Sequence, residues 1–269
     1  MRVITMNNQN DFLEGKITQN EGVVLTPPKQ SANTLFHFVK KLDYLITSIK
    51  NSALFPRYYP EDINYLEVGI KQVAYPMVCF CDINFHKLHD HIQFYGGYGI
   101  AFSKDWGLKR GIQPIQYINP KSSLRCDFGQ AFNLALEDKH EDVLSDYILT
   151  HMNYIKPIEG TMIRNEKQIL KNFTDECEWR FVPDVSVIEL PYAVTEENLP
   201  TTEKLNKAIE KNDSCWLKFN FSDIKYIIIQ RENEFEPLCN VIDQCGLAEL
   251  EKKKLITKIV IWDKEKEDF

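Results

Sequence analysis

The chain has 269 residues, of which 43% are hydrophobic and 12% aromatic, and its formal net charge is −7. This composition is typical of a globular protein that builds a sizeable core, and the length favours one large domain. The negative charge disfavours a general nucleic-acid scaffold, because phosphate binding depends on clustered Lys and Arg. The seven cysteines lack a disulfide spacing, and no apolar stretch reaches the roughly 18 residues of a membrane span. We therefore expect a cytoplasmic protein with reduced thiols and no membrane partner.

The first elements are predicted from residue spacing. Residues 1–33 are polar and contain a Pro pair, which predicts an irregular N-terminal arm before a single domain over residues 34–269. LFHF (35–38) predicts a short aromatic strand, and the apolar spacing that follows it, at 38, 42, 45, 46 and 49, predicts a helix. PRYYPED (56–62) is rich in turn residues and predicts a loop.

The middle of the chain predicts a compact sheet. YPMVCFCDI (75–83) and YGIAFS (98–103) are short and apolar, so we expect them to be buried, neighbouring strands. The other predictions for this part are a short helix in HKLHDHIQFYGG (86–97) that ends at the Gly pair, a turn region in KDWGLKRGI (104–112) and a strand in PIQYI (114–118).

The second half mixes helices and strands. Helices are predicted over 128–152, with an interruption at EDKHED (137–142), over 201–211 and over 235–246. Strands are predicted in CEWRFVPD (177–184), DIKYIIIQ (223–230) and LITKIVIW (255–262). Because strands and helices alternate only near the end, the sequence predicts an α+β fold, with a mixed or antiparallel sheet core and flanking helices.

Cysteines and histidines crowd together near residue 80. The five residues are Cys79, Cys81, His86, His89 and His91. The C-x-C pair directs both sulfurs to one face of a strand, but no second Cys or His pair follows at a zinc-finger distance. We therefore predict no bound metal. A Cys–His nucleophile pair that uses Cys79 or Cys81 stays open, although no orienting third group is apparent.

Charged residues alternate with aromatic residues in CEWRFVPD. Glu176, Glu178 and Arg180 are expected on one face of a strand, with Trp179 and Phe181 on the other. Such a face has two interpretations, an exposed charged stripe or a catalytic surface.

Six segments together resemble the AbiGi family of bacterial abortive-infection proteins. They are PMVCFCDI (76–83), His91 with YGGYGIAFSKDWG (95–107), PIQYI (114–118), YIKPIEG (154–160), DECEWRF (175–181) and DIKYIII (223–229). The resemblance implies a phage-resistance protein, the antitoxin part of a toxin–antitoxin pair, and hence a partner toxin or antitoxin protein.

A second, looser resemblance is to ADP-ribosyltransferase-like folds of the DarT type. A strand histidine between aromatics, a Tyr/Gly strand and a late E-x-E occur in the same order. This resemblance implies NAD as a substrate, with nucleic acid or protein as the acceptor. Glu178 would stabilise the oxocarbenium-like ribose and Glu176 would orient or deprotonate the acceptor.

The same resemblance implies the remaining site residues. His37 would bind the adenosine-side ribose, and Tyr95 and Tyr98 would stack on nicotinamide. His37 and Tyr98 also belong to the implied catalytic set, with Glu176 and Glu178. Phe38 and Ser103 complete the implied cofactor-binding residues. The alternative for His37 is a core histidine, and for the tyrosines it is core packing with a hydrogen-bonded hydroxyl.

Two hypotheses therefore stand, an NAD-dependent ADP-ribosyltransferase and a non-enzymatic antitoxin. Convergence of His37, Tyr98 and Glu178 on one pocket would favour the enzyme. An exposed E-x-E stripe with a large apolar patch elsewhere would favour the antitoxin. On the assumption that Glu178 lies at a strand surface, Glu178→Gln is expected to abolish enzymatic activity and to leave the melting temperature nearly unchanged.

Overall fold

A computed structural model describes residues 31–137, 143–164 and 167–265. Nearly all of the predicted N-terminal arm, residues 1–30, lies outside the described residues. The strands are β1 (Thr34–Val39), β2 (Ala53–Leu54), β3 (Arg57–Asp62), β4 (Gln72–Cys81), β5 (Tyr98–Ser103), β6 (Gln113–Pro114), β7 (Gln116–Ile118), β8 (Ile155–Pro157), β9 (Glu159–Arg164), β10 (Lys167–Asn172), β11 (Glu178–Phe181), β12 (Val194–Thr195), β13 (Leu217–Lys218), β14 (Ile224–Ile229) and β15 (Ile259–Ile261).

Helices flank these strands, and short 3₁₀ turns connect many of them. The helices are α1 (Leu42–Asn51), α2 (His89–Tyr95), α3 (Lys104–Lys109), α4 (Ser123–Glu137), α5 (Val143–His151), α6 (Thr202–Glu210), α7 (Phe235–Asp243), α8 (Glu249–Ile256) and α9 (Trp262–Glu265). In the described part of the chain, no helix is long and apolar enough to span a membrane.

The main sheet has the strand order β15-β14-β5-β1-β4-β11-β6. Its pairs are antiparallel except β14 with β15, which is parallel. The long strand β4 has two sets of neighbours, since its first half pairs with β3 and β12 and its second half with β1 and β11. The predicted α+β class with a mixed sheet is confirmed.

The strand register divides the side chains between two faces of the sheet. Residues that pair directly across strands share a face, and successive residues alternate. His37 pairs with Ile100 and Trp179 with Phe80, which places all four on the face covered by α1 and α7. We call this the apolar face.

The other face carries Phe36, which pairs with Cys81, and Glu178, which also pairs with Cys81. We call it the charged face, because Glu178 and Arg180 lie on it. Beside it, α4 and α5 pack over the first half of β4 and form their own apolar cluster, which includes Met77, Phe132 and Ile148.

The predicted strands at 75–83 and 98–103 are buried, as expected. Val78, Phe80, Ile100 and Phe102 are at most 2% exposed. The prediction that the two strands are neighbours is wrong, however, because β1 lies between β4 and β5. The N-terminal strand thus occupies the centre of the sheet.

Two segments predicted as loops form regular structure. PRYYPED contains β3, which pairs with β4 along six residues and buries Tyr58, and a strand at a sheet edge tolerates its proline. KDWGLKRGI contains α3, whose first turn is capped by the Ser103 Oγ, which accepts a hydrogen bond from the Trp106 N–H at 3.1 Å.

Two further corrections concern strand boundaries. The closing strand begins at Ile259 rather than residue 255, because Leu255 and Ile256 end α8 and Leu255 packs into the core. PIQYI is divided between β6, which pairs with β11, and β7, which pairs with β8. The β9–β10 hairpin was not predicted.

Candidate functional site

Arg180 is the centre of a group of buried charges. Its side chain is 0% exposed. Its Nε donates to Glu178 Oε1 at 2.7 Å, and its two Nη atoms donate to the Asn153 carbonyl at 2.8 Å and to Glu61 Oε1 at 3.1 Å. The guanidinium thus holds together β11, the end of β3 and the turn after α5.

Two lysines add to this group from outside the main sheet. Lys156 Nζ, on β8, lies 2.7 Å from Glu176 Oε2 and 3.1 Å from Glu178 Oε2. Lys171 Nζ, on β10, lies 3.1 Å from Glu176 Oε1 and donates to the Tyr95 hydroxyl oxygen at 2.7 Å. The Tyr95 hydroxyl in turn donates to Glu176. The charged cluster is Glu61, Lys156, Lys171, Glu176, Glu178 and Arg180.

A turn before β11 brings the two predicted catalytic glutamates together. Glu176 ends a 3₁₀ turn, Cys177 has a left-handed backbone with φ of 43°, and β11 begins at Glu178. Glu176 therefore reaches the charged face through the turn and not through strand alternation. The two carboxylates share the Lys156 ammonium.

The exposed-stripe interpretation is wrong. Glu176, Glu178 and Arg180 are 4%, 6% and 0% exposed. Lys156 and Lys171, which lie on other elements, and Tyr95 on α2 close the site over them. The expectation that Glu178→Gln leaves stability unchanged therefore loses its basis, because the carboxylate is not at the surface.

Electrostatics keep Glu178 and Lys156 ionised. Burial opposes the charge on Glu178, but Arg180 and Lys156 outweigh it and hold its pKa well below the usual range. Burial likewise opposes the charge on Lys156, yet Glu178 and Glu61 raise its pKa. Since three carboxylates face three cations, the cluster is balanced in charge, which is the condition under which buried ions are tolerated.

His91 borders the cluster without an ion pair to it. Its ring lies 4.5 Å from the ring of Tyr95 and 5.6 Å from that of Phe38. Burial, and then the charge of Lys171, lower the pKa of His91 to about 4. It is therefore a neutral imidazole at physiological pH.

His37 lies on the opposite face of the sheet from Glu178. Its Nδ1 donates to the Cys79 carbonyl at 2.9 Å and its ring packs on Phe80 at 5.7 Å. Burial lowers the pKa of His37, although the hydrogen bond opposes this change. These contacts are those of a core histidine.

Tyr98 and Ser103 also lie apart from Glu178. Tyr98 pairs with Val39 on the apolar face and donates its hydroxyl to Glu234 at 2.7 Å, while Ser103 caps α3. Of the predicted residues, the structure thus brings together Glu176, Glu178 and Tyr95. Phe38 lies near this group, because the His91 ring packs on both Phe38 and Tyr95. It does not bring His37, Tyr98 and Glu178 together.

Sequence reasoning did not select Glu61, Lys156 or Lys171, which supply half of the charged cluster. Lys156 falls in YIKPIEG, a segment that the family resemblance included, but no periodicity marks it as buried. Glu61 lies in PRYYPED, the segment predicted as a loop. Tyr117, which accepts a hydrogen bond from the Glu178 N–H at 2.9 Å, was also not selected.

Two cavities adjoin the site. One, of about 290 Å³, is lined by Tyr95, Gly96, Gly97, Lys40 and Gln230 among others. The other, of about 190 Å³, is lined by Glu61, Asp62, Tyr65, Lys156, Glu159 and Phe173 among others. The buried Tyr65 hydroxyl has no hydrogen-bond partner among the described residues.

The cysteine–histidine segment does not assemble a metal site within the described ranges, where no group of three or more His, Cys, Asp and Glu side chains is placed to hold an ion. Burial raises the pKa of both Cys79 and Cys81, which disfavours the thiolate that a nucleophile requires. That the protein binds no metal stays a prediction.

Away from the cluster, the α4–α5 hairpin exposes apolar side chains where α4 ends and α5 begins. Leu134, Leu136, Val143 and Tyr147 are 68%, 49%, 86% and 59% exposed. Val143 and Tyr147 are four residues apart on α5 and so lie on one helix face. We call these four residues the apolar hairpin surface.

Comparison with known proteins gives a consistent result. Residues 52–230 match a family described as "Putative abortive phage resistance protein AbiGi, antitoxin". The chain is also similar to the abortive phage resistance protein AbiGi of Lactococcus lactis subsp. cremoris, with 34% identity over 248 residues that cover 81% of this chain and 100% of that protein. No solved structure matches.

Proposed function

The chain belongs to the AbiGi family of abortive phage resistance proteins, and on this premise we propose that it acts in phage defence as an antitoxin that binds and neutralises a partner toxin protein. The observation that carries the binding function is the apolar hairpin surface. Single exposed apolar residues are ordinary, but Val143 and Tyr147 share one face of α5 and are 86% and 59% exposed, and adjacent exposed apolar side chains of this kind are typical of an interaction site.

The charged cluster supports a binding protein in a second way. Both oxygens of Glu178 are engaged, Oε1 by Arg180 and Oε2 by Lys156, and Glu176 is held by Lys156, Lys171 and Tyr95. Such a network fixes β8, β10 and β11 relative to one another. It needs no substrate to complete it.

The test is co-expression with each protein encoded next to the gene for this chain. We expect one of them to inhibit growth, and we expect this chain to restore growth and to co-purify with it. Val143→Ser together with Tyr147→Ser should abolish both effects. Leu250→Ser, at a 64% exposed position on α8, is the matched control and should change neither.

The antitoxin proposal fails if no neighbouring protein is neutralised by the wild-type chain. The assignment to the apolar hairpin surface fails separately if the double variant neutralises and binds the toxin as the wild type does. Circular dichroism of the purified variants tests whether the fold is retained.

A second candidate is transfer of ADP-ribose from NAD to protein or nucleic acid on an ADP-ribosyltransferase-like fold. The observation that favours it is the contact of Tyr95 with Glu176 beside Glu178 on the charged face. In this candidate Glu178 stabilises the oxocarbenium-like ribose, which requires its ion pairs with Arg180 and Lys156 to loosen.

Labelled NAD tests this candidate. Wild-type protein is incubated with cell lysate, and the label is followed onto protein and nucleic acid, beside Glu178→Gln and the exposed control Glu203→Gln. The candidate predicts labelling by the wild type and the control, and a loss of about 10²- to 10³-fold for Glu178→Gln. Wild-type protein that transfers no label excludes it.

A further inference from the structure

Helix α5 buries little of its apolar surface within this chain. Of its nine residues, Val143–His151, only Ile148 is buried, and it packs into the apolar cluster beneath α4 and α5. Val143, Leu144 and Tyr147 are 86%, 68% and 59% exposed, and Val143 is the most exposed large apolar side chain in the described part of the chain. At 3.6 residues per turn, these three side chains lie within about 100° of the helix circumference. We call them the α5 stripe.

The backbone of α4 and α5 limits which kind of segment can cover this stripe. Except at the helix ends, their N–H and C=O groups bond within each helix, so the surface offers no row of donors and acceptors like that of a strand edge. An extended segment that lay on it would bury its own N–H and C=O groups without partners. A helix satisfies its own backbone groups and presents apolar side chains on one face, so it can pack on the stripe without this cost.

The charges of the two helices are predominantly negative. α4 and α5 contain three acidic residues, Asp127, Glu137 and Asp146, and all three are exposed. Their one Lys or Arg is Arg125, whose Nη1 lies 2.7 Å from Glu67 Oε2. Asp146 lies on α5 itself, and Glu137 is the last residue of α4. A partner that covers the stripe therefore meets carboxylates at its rim, and Lys or Arg side chains complement them.

The same charges disfavour two other surfaces that could cover an apolar stripe. A second copy of the chain, related by a two-fold axis, presents the same patch, so that carboxylates would face carboxylates. An anionic membrane surface attracts segments rich in Lys and Arg, whereas this rim is acidic. Burial lowers the pKa of His151, the one histidine of α5, so this residue adds no positive charge at physiological pH.

We propose that the partner toxin covers the α5 stripe with an amphipathic helix, whose apolar face packs on Val143, Leu144 and Tyr147 and whose flanks carry Lys or Arg. The inference rests on the proposed antitoxin function and adds the secondary structure and the charge of the toxin segment. In such helix-on-helix recognition, a few apolar side chains at helical spacing anchor the complex. Charges at the rim govern the association rate and the salt dependence.

Calorimetry with the toxin that co-expression identifies tests the charge of the partner. The rim variant combines Glu137→Gln with Asp146→Asn. Its control combines Glu196→Gln with Glu197→Gln, two exposed acids in the turn before α6, and so has the same net charge as the rim variant. We expect the rim variant to bind the toxin about three- to tenfold more weakly and with a smaller salt dependence, and the control to bind as the wild type does.

Three synthetic peptides of about 18 residues, or five helical turns, test the secondary structure without the toxin. The first places Leu among Lys at helical spacing, the second replaces each Lys by Glu, and the third alternates Leu and Lys as a strand does. In fluorescence titrations of the wild-type protein, the first peptide should bind, and the other two should bind at least about tenfold more weakly.

The stripe variant, Val143→Ser together with Tyr147→Ser, is the control for these peptides. It keeps the net charge of the protein, so a general attraction between a basic peptide and an acidic protein would survive in it. Loss of the apolar anchors should weaken binding of the helical Leu/Lys peptide by about tenfold or more.

The outcomes separate the two proposals. If the rim variant binds the toxin as tightly as the wild type does, or if the helical Leu/Lys peptide binds the stripe variant as it binds the wild type, the inference is wrong and the antitoxin function stands. A wild-type dimer that the stripe variant dissociates, or phosphatidylserine vesicles that bind the wild type but not the stripe variant, would assign the stripe to a second copy or to a membrane and likewise overturn the inference. If the wild-type chain binds no toxin, the proposed function fails, and the inference fails with it.

Discussion

The two faces of β11 bury different kinds of side chain within four consecutive residues. Trp179 and Phe181 pack into the apolar core, whereas Glu178 and Arg180 enter the charged cluster, and Arg180 is the more completely buried. Burial of an apolar side chain is favourable in rough proportion to its area. Burial of a charge is tolerated only while its partners remain in place. The two faces should therefore respond differently to mutation and to pH.

The largest effect is expected from Arg180→Gln on the charged face. The change removes the buried cation of Glu61 and leaves Glu178 with Lys156 alone, and breaking a buried pair in this way costs about 3 to 5 kcal/mol of unfolding free energy. The matched control is Arg57→Gln, which breaks a pair whose members are 39% and 42% exposed, and such surface pairs contribute about 0 to 1 kcal/mol. Chemical denaturation measures the free energy of unfolding of both variants. Equal losses would show that the buried ion pairs of the charged face contribute no more than an exposed pair.

The next effect concerns pH and His91. Its folded pKa of about 4 lies below its ordinary value of 6.5, so the unfolded chain binds more protons between these values. The contribution of His91 to the free energy of unfolding is then fully present above about pH 6.5. It is lost as the pH decreases toward 4, and the loss is about 3 kcal/mol at most. The free energy of unfolding of His91→Gln, measured by denaturation at several pH values in this range, should depend less on pH than that of the wild type.

The residual pH dependence of His91→Gln should come in part from His37 on the apolar face, whose pKa burial also lowers. Adding His37→Asn should reduce the pH dependence of the unfolding free energy further. If His91→Gln has the same pH dependence as the wild type, His91 is not the neutral buried group described above.

A smaller effect is expected from Ser103→Ala, where β5 leads into α3. The Ser103 Oγ accepts a hydrogen bond from the first turn of α3, and losing such a cap costs about 1 kcal/mol. Thermal unfolding measures the loss. If Ser103 instead binds a cofactor, the variant should lose NAD-dependent signal without this loss of stability.

The smallest change in stability is expected at the apolar hairpin surface. Leu136→Ser replaces a side chain that is 49% exposed, so the free energy of unfolding should change by no more than about 0.5 kcal/mol. Toxin binding, measured in parallel, should weaken. A large loss of stability would show that the side chain supports the fold and is not reserved for a partner.

Sequence patterns predicted the apolar face well. Short, nearly continuous apolar runs in 75–83 and 98–103 identified buried strands, because a strand that is covered on both faces has apolar residues at most positions. The same patterns missed β3, whose Pro60 and acidic residues resemble a loop, although Tyr58 packs into the fold. They also assigned 104–112 to a turn, since six residues of helix contain too few turns for a periodic signal.

The charged face was predicted only in part. The E-x-E-x-R spacing correctly grouped Glu176, Glu178 and Arg180, but nothing local indicates whether such a group is exposed or buried. That outcome depends on Glu61, Lys156 and Lys171, of which Glu61 is more than one hundred residues away from β11 in the chain. Which face His37 occupies depends likewise on the register of β1 with β5.

The position of β14 bears on how the protein is made in the cell. This strand fills the place between β5 and β15, and its fully buried residues Ile227 and Ile229 complete the largest apolar core. During synthesis, more than one hundred residues must be added between β5 and β14 before the two can pair, and such distant pairing is slow. Until then the nascent chain presents β5 as an open edge, a state prone to association with other chains. A ribosome that stops before residue 224 would therefore leave an aggregation-prone fragment, so the supply of working protein depends on translation that continues through β14.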